Sequence, residues 1–558
     1  MKLRPSADKR TQVQSNLEAG TGWIIVVLVL VAQAFPPPLV VNSSELRRDL
    51  AEARSAKAGR PAVVAGQSRA VQPLQPIAYT VRFEPAAHVA EIDATFPTDR
   101  RSAIDVMMAI WSPGFYRIEN YANRVRSISA RTDQGTPVGI ASTRPNRWRV
   151  ETAGASSVVV SYRLYCVERS VTTNSVNDDF AVLNGPATFM TLADSGRRAH
   201  EVRVELPHGW ARAVTALDRL PDAPEHYRAA DFDTLADSPI VAGNPAVQQF
   251  DVDGRAHFVV AIGDVREFDG QRAARDLKKI VEAHRELWGE LPYKEYKFLL
   301  ALRQGGGGLE HKDSTLATTR PTVMQTPASY LTWLNFISHE YCHAFNVKRL
   351  RPLELGPFDY EREPHTPSLW ISEGFTSYFG ELAVRRAGLN MRADVLKSLS
   401  SKIDQLQRSP GRLAQTLEQS SLDVWTSESV SGVNTNAKTS VSYYVKGQIA
   451  GFLLDAAVRH ATNGARALDD VMRLAYRRYG GDRGFTPDEF RATTSEVAGT
   501  DLSAWFKRTV ASTSELDYDE ALEWYGLRFA PGSWTLEPRE DATAAQKDRL
   551  NAWLRRKP

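Results

Sequence analysis

The stretch Phe336–Phe345, FISHEYCHAF, contains two histidines four residues apart, with a glutamate directly after the first. A helix carrying it is predicted to begin at Thr326-Pro327, because threonine caps free N–H groups and proline at the first helical position loses no hydrogen bond. On that helix His339 and His343 project from one face, about one turn apart, and can meet one metal ion. Glu340 lies about 100° further round the helix, within reach of a water on that metal, which is the place of a general base.

A catalytic zinc takes three protein ligands and keeps one position open, so a third ligand is needed. Residues 351–364 are rich in proline and turn residues and predict a loop that reverses the chain. A second helix is predicted to start at Thr366-Pro367, with Glu373 near the middle of the apolar run Trp370–Tyr378. A carboxylate there is costly to bury unless it is paired or binds a metal. Glu373 is therefore the predicted third ligand, and Zn²⁺ is the predicted cofactor.

The glycine run Gly305–Gly308 stands directly before Leu309-Glu310. Glycines let a substrate backbone come close, and a carboxylate beside them can hold a free α-amino group. Glu310 is thus a candidate substrate-binding residue that would fix cleavage one residue from the N-terminus, and His311 is a further candidate for the same subsite. The alternative is an exposed loop glutamate with no part in binding.

The first residues have the features of a secretory signal peptide, which we assign to residues 1–34. Basic residues precede the uncharged run Trp23–Val31, and Ala32-Gln33-Ala34 follows it as an A-x-A pattern. The alternative is a membrane anchor, but the run is shorter than the roughly 20 residues that a span requires. We expect export to the periplasm or secretion, and no stable membrane span in the mature chain. Residues 35–75 lack apolar periodicity and are interpreted as a linker.

Two domains of different class are expected after the linker. Residues 76–245 hold short β-like runs and predict an antiparallel β domain, whose strands include Tyr79–Phe83, Val106–Trp111, Arg147–Val150 and Val158–Tyr165. Residues 246–515 predict an α+β, mainly helical domain, with strands at His257–Ile262 and Lys297–Leu302 and helices at Gln271–Trp288 and after Thr486-Pro487. Residues 516–558 form a short C-terminal extension. The predicted fold class is therefore multidomain.

The amino-acid composition and net charge bear on which kinds of partner the protein binds. The 558 residues are 42% hydrophobic and 24% charged, as in globular proteins, and the formal net charge of +3 gives no indication of a nucleic-acid partner. The two cysteines, Cys166 and Cys342, are too far apart in sequence to suggest a disulfide framework. The basic run Lys348–Arg351 is typical of a solvated face or of internal ion pairs.

Several motifs occur in one order along the chain: Trp111–Tyr116 (WSPGFY), Gly307–His311 (GGLEH), His339–His343 (HEYCH), Asn346–Pro352 (NVKRLRP), Pro357–Tyr360 (PFDY) and Glu373–Tyr378 (EGFTSY). Together they resemble the glycyl-aminopeptidase family of zinc metallopeptidases over residues 76–528. The resemblance implies a thermolysin-like catalytic domain whose third zinc ligand is a glutamate, in agreement with Glu373. It also implies that Glu310 anchors the substrate amine and that small N-terminal residues, glycine and alanine, are preferred.

The segment Ser442–Gly447 (SYYVKG) resembles the one that supplies a tyrosine donor in related aminopeptidases. The resemblance implies that Tyr444 supports the oxyanion, with Tyr443 as the alternative. Family members often carry a PDZ domain after the helical domain, and residues 516–558 are too few for one, so none is expected here. The predicted function is a zinc-dependent aminopeptidase acting on peptides with a free N-terminus. The alternatives are a zinc endopeptidase and a non-catalytic exported binding protein on the same scaffold.

Overall fold

The computed structural model of the protein describes residues 74–426, 429–430, 433–434 and 439–555. The predicted signal peptide and all but the last two residues of the predicted linker lie outside these ranges. Within them, none of the helices combines the length and the apolar character that a bilayer crossing would need.

The N-terminal domain is built from short strands, as its alternating sequence predicts. Along β1 and β8 every second side chain is buried, so one face of each strand points into the core. The strands of this domain are β1 Ile77–Glu84, β2 Val89–Pro97, β3 Ala103–Met107, β4 Val125–Thr132, β5 Pro137–Val138, β6 Ile140–Arg144, β7 Arg147–Glu151, β8 Ser157–Tyr165, β9 Ser175–Val176, β10 Phe180–Leu183, β11 Thr191–Leu192, β12 His200–Val204, β13 Arg212–Thr215, β14 Asp218–Arg219, β15 His226–Ala229 and β16 Ile240–Gly243. Two short helices, α1 Gly185–Thr188 and α2 Phe232–Ala236, lie between them.

These strands form three sheets, with strand orders β14-β15-β12-β1-β2-β8-β4-β5, β13-β16-β10-β9 and β11-β3-β7-β6. One neighbouring pair departs from the predicted antiparallel pattern, because β12 runs parallel to β1. The long connection between these two strands passes through the other sheets, which lets the chain return in the same direction. The strand predicted at Val106–Trp111 is also displaced and ends at Met107. Trp111 instead lies in the loop after β3, where its indole N–H donates to the carbonyl of Asp359 at 3.1 Å.

The second domain starts with a five-stranded mixed sheet of order β17-β18-β19-β21-β20. Its strands are β17 Ala246–Val252, β18 Arg255–Gly263, β19 Glu295–Leu302, β20 Gly307–Glu310 and β21 Ser314–Thr319. The central strand β19 is buried from its second residue onward, as expected for a strand covered on both faces. Valines of β10 and β16 pack on one face of this sheet, against β18 and β19, so the two domains share a small apolar core.

The rest of this domain is mainly helical. Its helices are α3 Gly270–Trp288, α4 Pro327–Cys342, α5 Thr376–Arg386, α6 Arg392–Gln407, α7 Leu417–Leu422, α8 Tyr443–Ala461, α9 Leu468–Tyr479, α10 Pro487–Ala498, α11 Ser503–Thr509, α12 Asp519–Tyr525 and α13 Ala544–Trp553. Two-residue strands β22 Ser429–Val430 and β23 Val433–Asn434 pair with each other, and β24 Leu527–Phe529 pairs with β25 Leu536–Pro538. Thr326 and Thr486 cap α4 and α10 as predicted, each within a capping box. The predicted fold class, a β domain followed by a mainly helical domain, is confirmed.

The third predicted helix start, Thr366-Pro367, is wrong. The Thr366 hydroxyl donates to Glu354 at 3.1 Å instead of capping a helix. Helical structure begins with a π-helical turn, Trp370–Phe375, which continues directly into α5. The wider π turn leaves carbonyl groups available for side chains. One of them, that of Ile371, accepts a hydrogen bond from the Asn346 side chain at 2.8 Å.

Glycines allow three helical segments to pack backbone against backbone. A Cβ atom on Gly374, in the π turn, would lie 2.5 Å from Cα of Gly447 in α8. A Cβ atom on Gly380, in α5, would lie 3.0 Å from Cα of His339 in α4. The π turn and α5 are therefore held between α4 and α8 at a distance that side chains would not permit.

The chain after residue 515 packs into the same helical body. Trp553 in α13 is 1% exposed, and its indole N–H donates to the Tyr378 hydroxyl at 2.8 Å. Tyr378 in turn donates to the buried carboxylate of Asp455 at 2.7 Å. These bonds join α13 to α5 and α8 through one buried network.

We predict that Gly447→Ala destabilises the protein although alanine is the better helix former. The added methyl would lie 2.8 Å from the Trp370 carbonyl oxygen and 3.0 Å from Cα of Gly374, which are backbone atoms of the π turn. Overpacking of this kind costs on the order of 1–3 kcal/mol, and urea unfolding measures it. Gly306→Ala is the matched control, because a Cβ there meets no atom within 4 Å. Equal unfolding midpoints for Gly447→Ala and Gly306→Ala would contradict this account of the backbone contact between α8 and the π turn.

Candidate metal centre

Three nitrogen and oxygen atoms converge where α4 meets the π turn. His339 Nε2 and His343 Nε2 are 3.0 Å apart, and both lie near Glu373 Oε2, at 3.4 Å and 3.3 Å respectively. In the described ranges these three residues form a group of potential ligand atoms that all lie within 4.8 Å of one another. The structure thus brings together the two histidines, one helical turn apart, and the glutamate that the sequence places thirty residues further on.

The second nitrogen of each histidine ring faces a fixed partner. His343 Nδ1 lies 3.0 Å from the carbonyl oxygen of Asn346, and His339 Nδ1 lies 3.2 Å from the Ser377 hydroxyl. Such partners set the tautomer that leaves Nε2 free to bind a metal. The Asn346 side chain also donates to the Thr376 hydroxyl at 2.9 Å, which ties the end of α4 to the start of α5. Sequence reasoning missed Asn346 and Ser377, although both stand inside the quoted motifs.

The donor set fits a zinc ion. Glu373 is 1% exposed, and its Oε2 accepts no hydrogen bond within the described ranges although two imidazoles face it. A buried carboxylate oxygen without a donor is costly, and a cation between it and the two imidazoles removes that cost. Two histidines and one carboxylate are a ligand combination of catalytic zinc sites.

The local charges favour a cation at the same place. Burial lowers the pKa of His343, but the negative charges of Glu373 and Glu310 outweigh burial and raise that pKa to about 9. Burial raises the pKa of Glu373, but His343 and His339 outweigh it and hold the pKa below its usual range. Glu373 and Glu310 therefore place negative charge beside His343, which favours a cation at this position.

Glu340 lies beside the ligand group and against the backbone of β20. A Cβ atom on Gly308 would lie 2.2 Å from Oε1 of Glu340, so only glycine leaves room for this carboxylate. Burial raises the pKa of Glu340 to about 8, with His343 opposing the shift and Glu310 adding to it. A carboxylate that titrates near neutral pH can both take up and release a proton, as a general base and acid must.

Glu310 is buried at the end of β20, so its interpretation as an exposed loop residue is wrong. It is 4% exposed, and its Oε1 accepts no hydrogen bond from any residue that the structure describes. A Cβ atom on Gly114 would lie 2.4 Å from that oxygen. Gly114 has φ +93°, which favours glycine, and belongs to the β domain. The loop after β3 therefore packs directly against the candidate amine anchor.

A small cavity opens beside Glu310 and is lined from both domains. Its volume is about 20 Å³, room for a single water molecule. Its lining includes Trp111, Gly114 and Tyr116 of the β domain and Lys348 and Phe358 of the helical domain. Sequence reasoning assigned no site residue to the β domain, although the WSPGFY motif contains three of these residues.

Two tyrosines at the start of α8 also reach the site. The Tyr444 ring lies 6.1 Å from the His339 ring, and Tyr443 stacks on Tyr444 at 5.0 Å. Burial, with the charge of Glu373 adding to it, raises the pKa of both phenols well above their usual value. Both hydroxyls thus keep their protons at neutral pH and can donate. The Tyr443 hydroxyl is buried and makes no hydrogen bond of standard geometry among the described residues.

The remaining candidates are buried or paired within the fold. Cys166 and Cys342 are buried free cysteines, and burial raises the pKa of the Cys342 thiol well above its usual value. The basic run forms internal ion pairs: Lys348 Nζ donates to Asp237 at 2.8 Å and Arg349 donates to Asp313 at 2.7 Å.

The chain is similar to known protein families and to a solved structure. Residues 78–244 match the Peptidase M61 N-terminal domain, and residues 332–450 match the M61 glycyl aminopeptidase domain. A crystal structure of an aminopeptidase N family protein from Idiomarina loihiensis is 26% identical in sequence, with a TM-score of 0.77 over 81% of this chain and 78% of its own. No curated protein matches the chain significantly.

The two matched domains occur in the order that the fold displays, and together they span just over half of the 558 residues. The second match contains the histidines, Glu340, Glu373 and both tyrosines. This chain therefore belongs to the M61 glycyl aminopeptidase family and is a peptidase.

Proposed function

We propose that the protein is a zinc-dependent aminopeptidase that removes small N-terminal residues, such as glycine and alanine, from peptides. The observation that supports this most directly is the buried Glu310 oxygen, which accepts no hydrogen bond from the described part of the chain and lies beside the ligand group and Glu340. A substrate α-ammonium group would supply the missing donor. The signal-like segment at residues 1–34 supports the further proposal that the protein is exported, to the periplasm or to the medium.

His339, His343 and Glu373 would hold the zinc ion. When bound, zinc supplies Lewis acidity that polarises the peptide carbonyl and makes water nucleophilic near neutral pH. Glu340 takes a proton from the attacking water and delivers it to the leaving amine. Tyr444 donates a hydrogen bond to the carbonyl oxygen as that oxygen gains negative charge, with Tyr443 as the alternative donor.

Glu310 would set the cleavage position, and the cavity beside it would set the residue preference. Accepting hydrogen bonds from the α-ammonium group places the first peptide bond, and no later one, at Glu340. The cavity has about 20 Å³ of space and is bordered by the Trp111, Tyr116 and Phe358 rings. A hydrogen atom or a methyl group fits such a space with little rearrangement, whereas a larger side chain requires the rings to move.

Glu340→Gln should lower kcat on Ala-p-nitroanilide by on the order of 10²–10⁴-fold, because the general base is lost. Zinc content, measured by mass spectrometry, should match the wild type, since Glu340 is not a ligand. A peptide whose N-terminus is acetylated should not be cleaved by the wild-type enzyme. Cleavage of the blocked peptide would indicate an endopeptidase, and a wild type that binds zinc without turnover would indicate a binding protein.

Glu310→Gln should raise KM for free-amine substrates by roughly 10- to 100-fold, because a hydrogen bond to a charged group contributes about 1.5–3 kcal/mol. The matched control is Glu295→Gln, at the exposed start of β19, which should leave KM unchanged. Steady-state kinetics on Gly- and Ala-p-nitroanilide measures both. An unchanged KM in Glu310→Gln would remove Glu310 from substrate binding.

Tyr444→Phe should lower kcat by on the order of 10²–10³-fold with little change in KM, as expected when a donor acts only in the transition state. Tyr443→Phe is the matched control on the neighbouring residue of the same helix and should change kcat by less than about threefold. The opposite ranking in the same assay would assign the donor to Tyr443.

A further inference from the structure

The protein itself carries an ammonium group, that of Lys348, close to Glu310, the candidate amine anchor. Lys348 lines the same small cavity as Glu310, and its side chain is only 8% exposed. Its positive charge lowers the pKa of Glu310, in opposition to the larger effect of burial, which raises it. A buried carboxylate and a buried ammonium attract each other strongly where water is scarce. Lys348 is therefore a built-in competitor for the position that a substrate amine would take.

In the structure the Lys348 ammonium pairs with a carboxylate other than Glu310. Its Nζ donates to Oδ1 of Asp237 at 2.8 Å, while Oε1 of Glu310 accepts no hydrogen bond among the described residues. Asp237 belongs to the β domain and is the C-cap residue of α2. Burial raises the pKa of Asp237, but Lys348 and His311 outweigh burial and hold that pKa well below its usual range. Asp237 is thus ionised throughout the neutral range.

The same carboxylate also fixes the end of the strand that carries Glu310. Oδ2 of Asp237 accepts a hydrogen bond from the Lys312 backbone N–H at 2.7 Å. Oδ1 lies 3.2 Å from Nδ1 of His311. These are the two residues that follow Glu310, so one side chain of the β domain holds both the anchor strand and the competing lysine.

We propose that Asp237 is a positioning and specificity-determining residue that keeps the Lys348 ammonium away from Glu310 and so leaves Glu310 free for the substrate's α-ammonium group. This inference rests on the proposed function of Glu310 as the amine anchor. Among the described residues that line the cavity, Glu310 is the carboxylate left for Lys348 to pair with once the charge of Asp237 is lost. The pairing would act as an internal competitive inhibitor.

Three variants separate this role from simple support of the fold: Asp237→Asn, Lys348→Met and the double variant. Asp237→Asn keeps an oxygen that can accept from the Lys312 N–H but loses the charge that holds Lys348. It should raise KM for Ala-p-nitroanilide by about tenfold or more, with kcat within about threefold of the wild type. Lys348→Met removes the competing ammonium, and its KM is the reference for the double variant. The double variant should return to the Lys348→Met value, because the competing ammonium is gone.

Asp231→Asn is the matched control. Asp231 caps the other end of α2, where it accepts from the Thr234 backbone N–H at 2.8 Å, and asparagine caps equally well. The KM of Asp231→Asn should match that of the wild type. Binding gives a readout without turnover: in zinc-loaded protein carrying Glu340→Gln, calorimetry should show weaker binding of Ala-Ala-Phe on adding Asp237→Asn. Binding of N-acetyl-Ala-Ala-Phe should not change.

Two results would overturn the inference while the proposed function stands. One is an unchanged KM in Asp237→Asn. The other is a rise in KM that persists in the Lys348→Met background, because Asp237 would then only support the His311–Lys312 segment. A wild-type enzyme that cleaves N-acetylated and free-amine substrates equally well would instead refute the proposed function of Glu310, and this inference with it.

Discussion

The burial of three carboxylates in one pocket is the constraint on which the rest of the site depends. Glu373 raises the pKa of Glu310, and both of them raise the pKa of Glu340. None of the three carboxylates is more than 6% exposed. Such a cluster is unstable unless positive charge is placed inside it. Lys348 supplies part of that charge within the described chain, and a cation held by His339, His343 and Glu373 would supply the rest. The positions of the basic groups are therefore as constrained as those of the acidic ones.

The site also requires carboxylates to lie close to main chain and helical backbones to lie close to each other. A glycine stands at each of these contacts. Gly308 leaves room for Glu340, Gly114 leaves room for Glu310, and Gly374 and Gly380 bring the helical backbones together. Glu340 and Glu310 thus rest against main chain instead of a side chain that can change rotamer. Such fixed placement is what a preorganised site needs.

Those parts of the site that follow from local geometry were predictable from the sequence. Helical spacing places His339 and His343 on one face, and the cost of burying a carboxylate in an apolar run singles out Glu373. The π-helical start of the segment carrying Glu373 was not predicted, because its contacts, such as the bond from Asn346 to the Ile371 carbonyl, are tertiary and leave no local pattern. Asp237 and Tyr116 were missed for the same reason. They come from the other domain, and no spacing rule links residues so far apart in sequence.

The hydrogen bond from Trp553 to Tyr378 has a consequence for biosynthesis. Tyr378 follows Ser377, the residue that faces His339, and its hydroxyl is shared between Trp553 and Asp455. During translation the helix behind the ligand group cannot acquire this partner until residue 553 has left the ribosome. A nascent chain that already contains both histidines, Glu340 and Glu373 still lacks the buried support of α5. The buried support behind the ligand group is therefore completed only after α13 has been made.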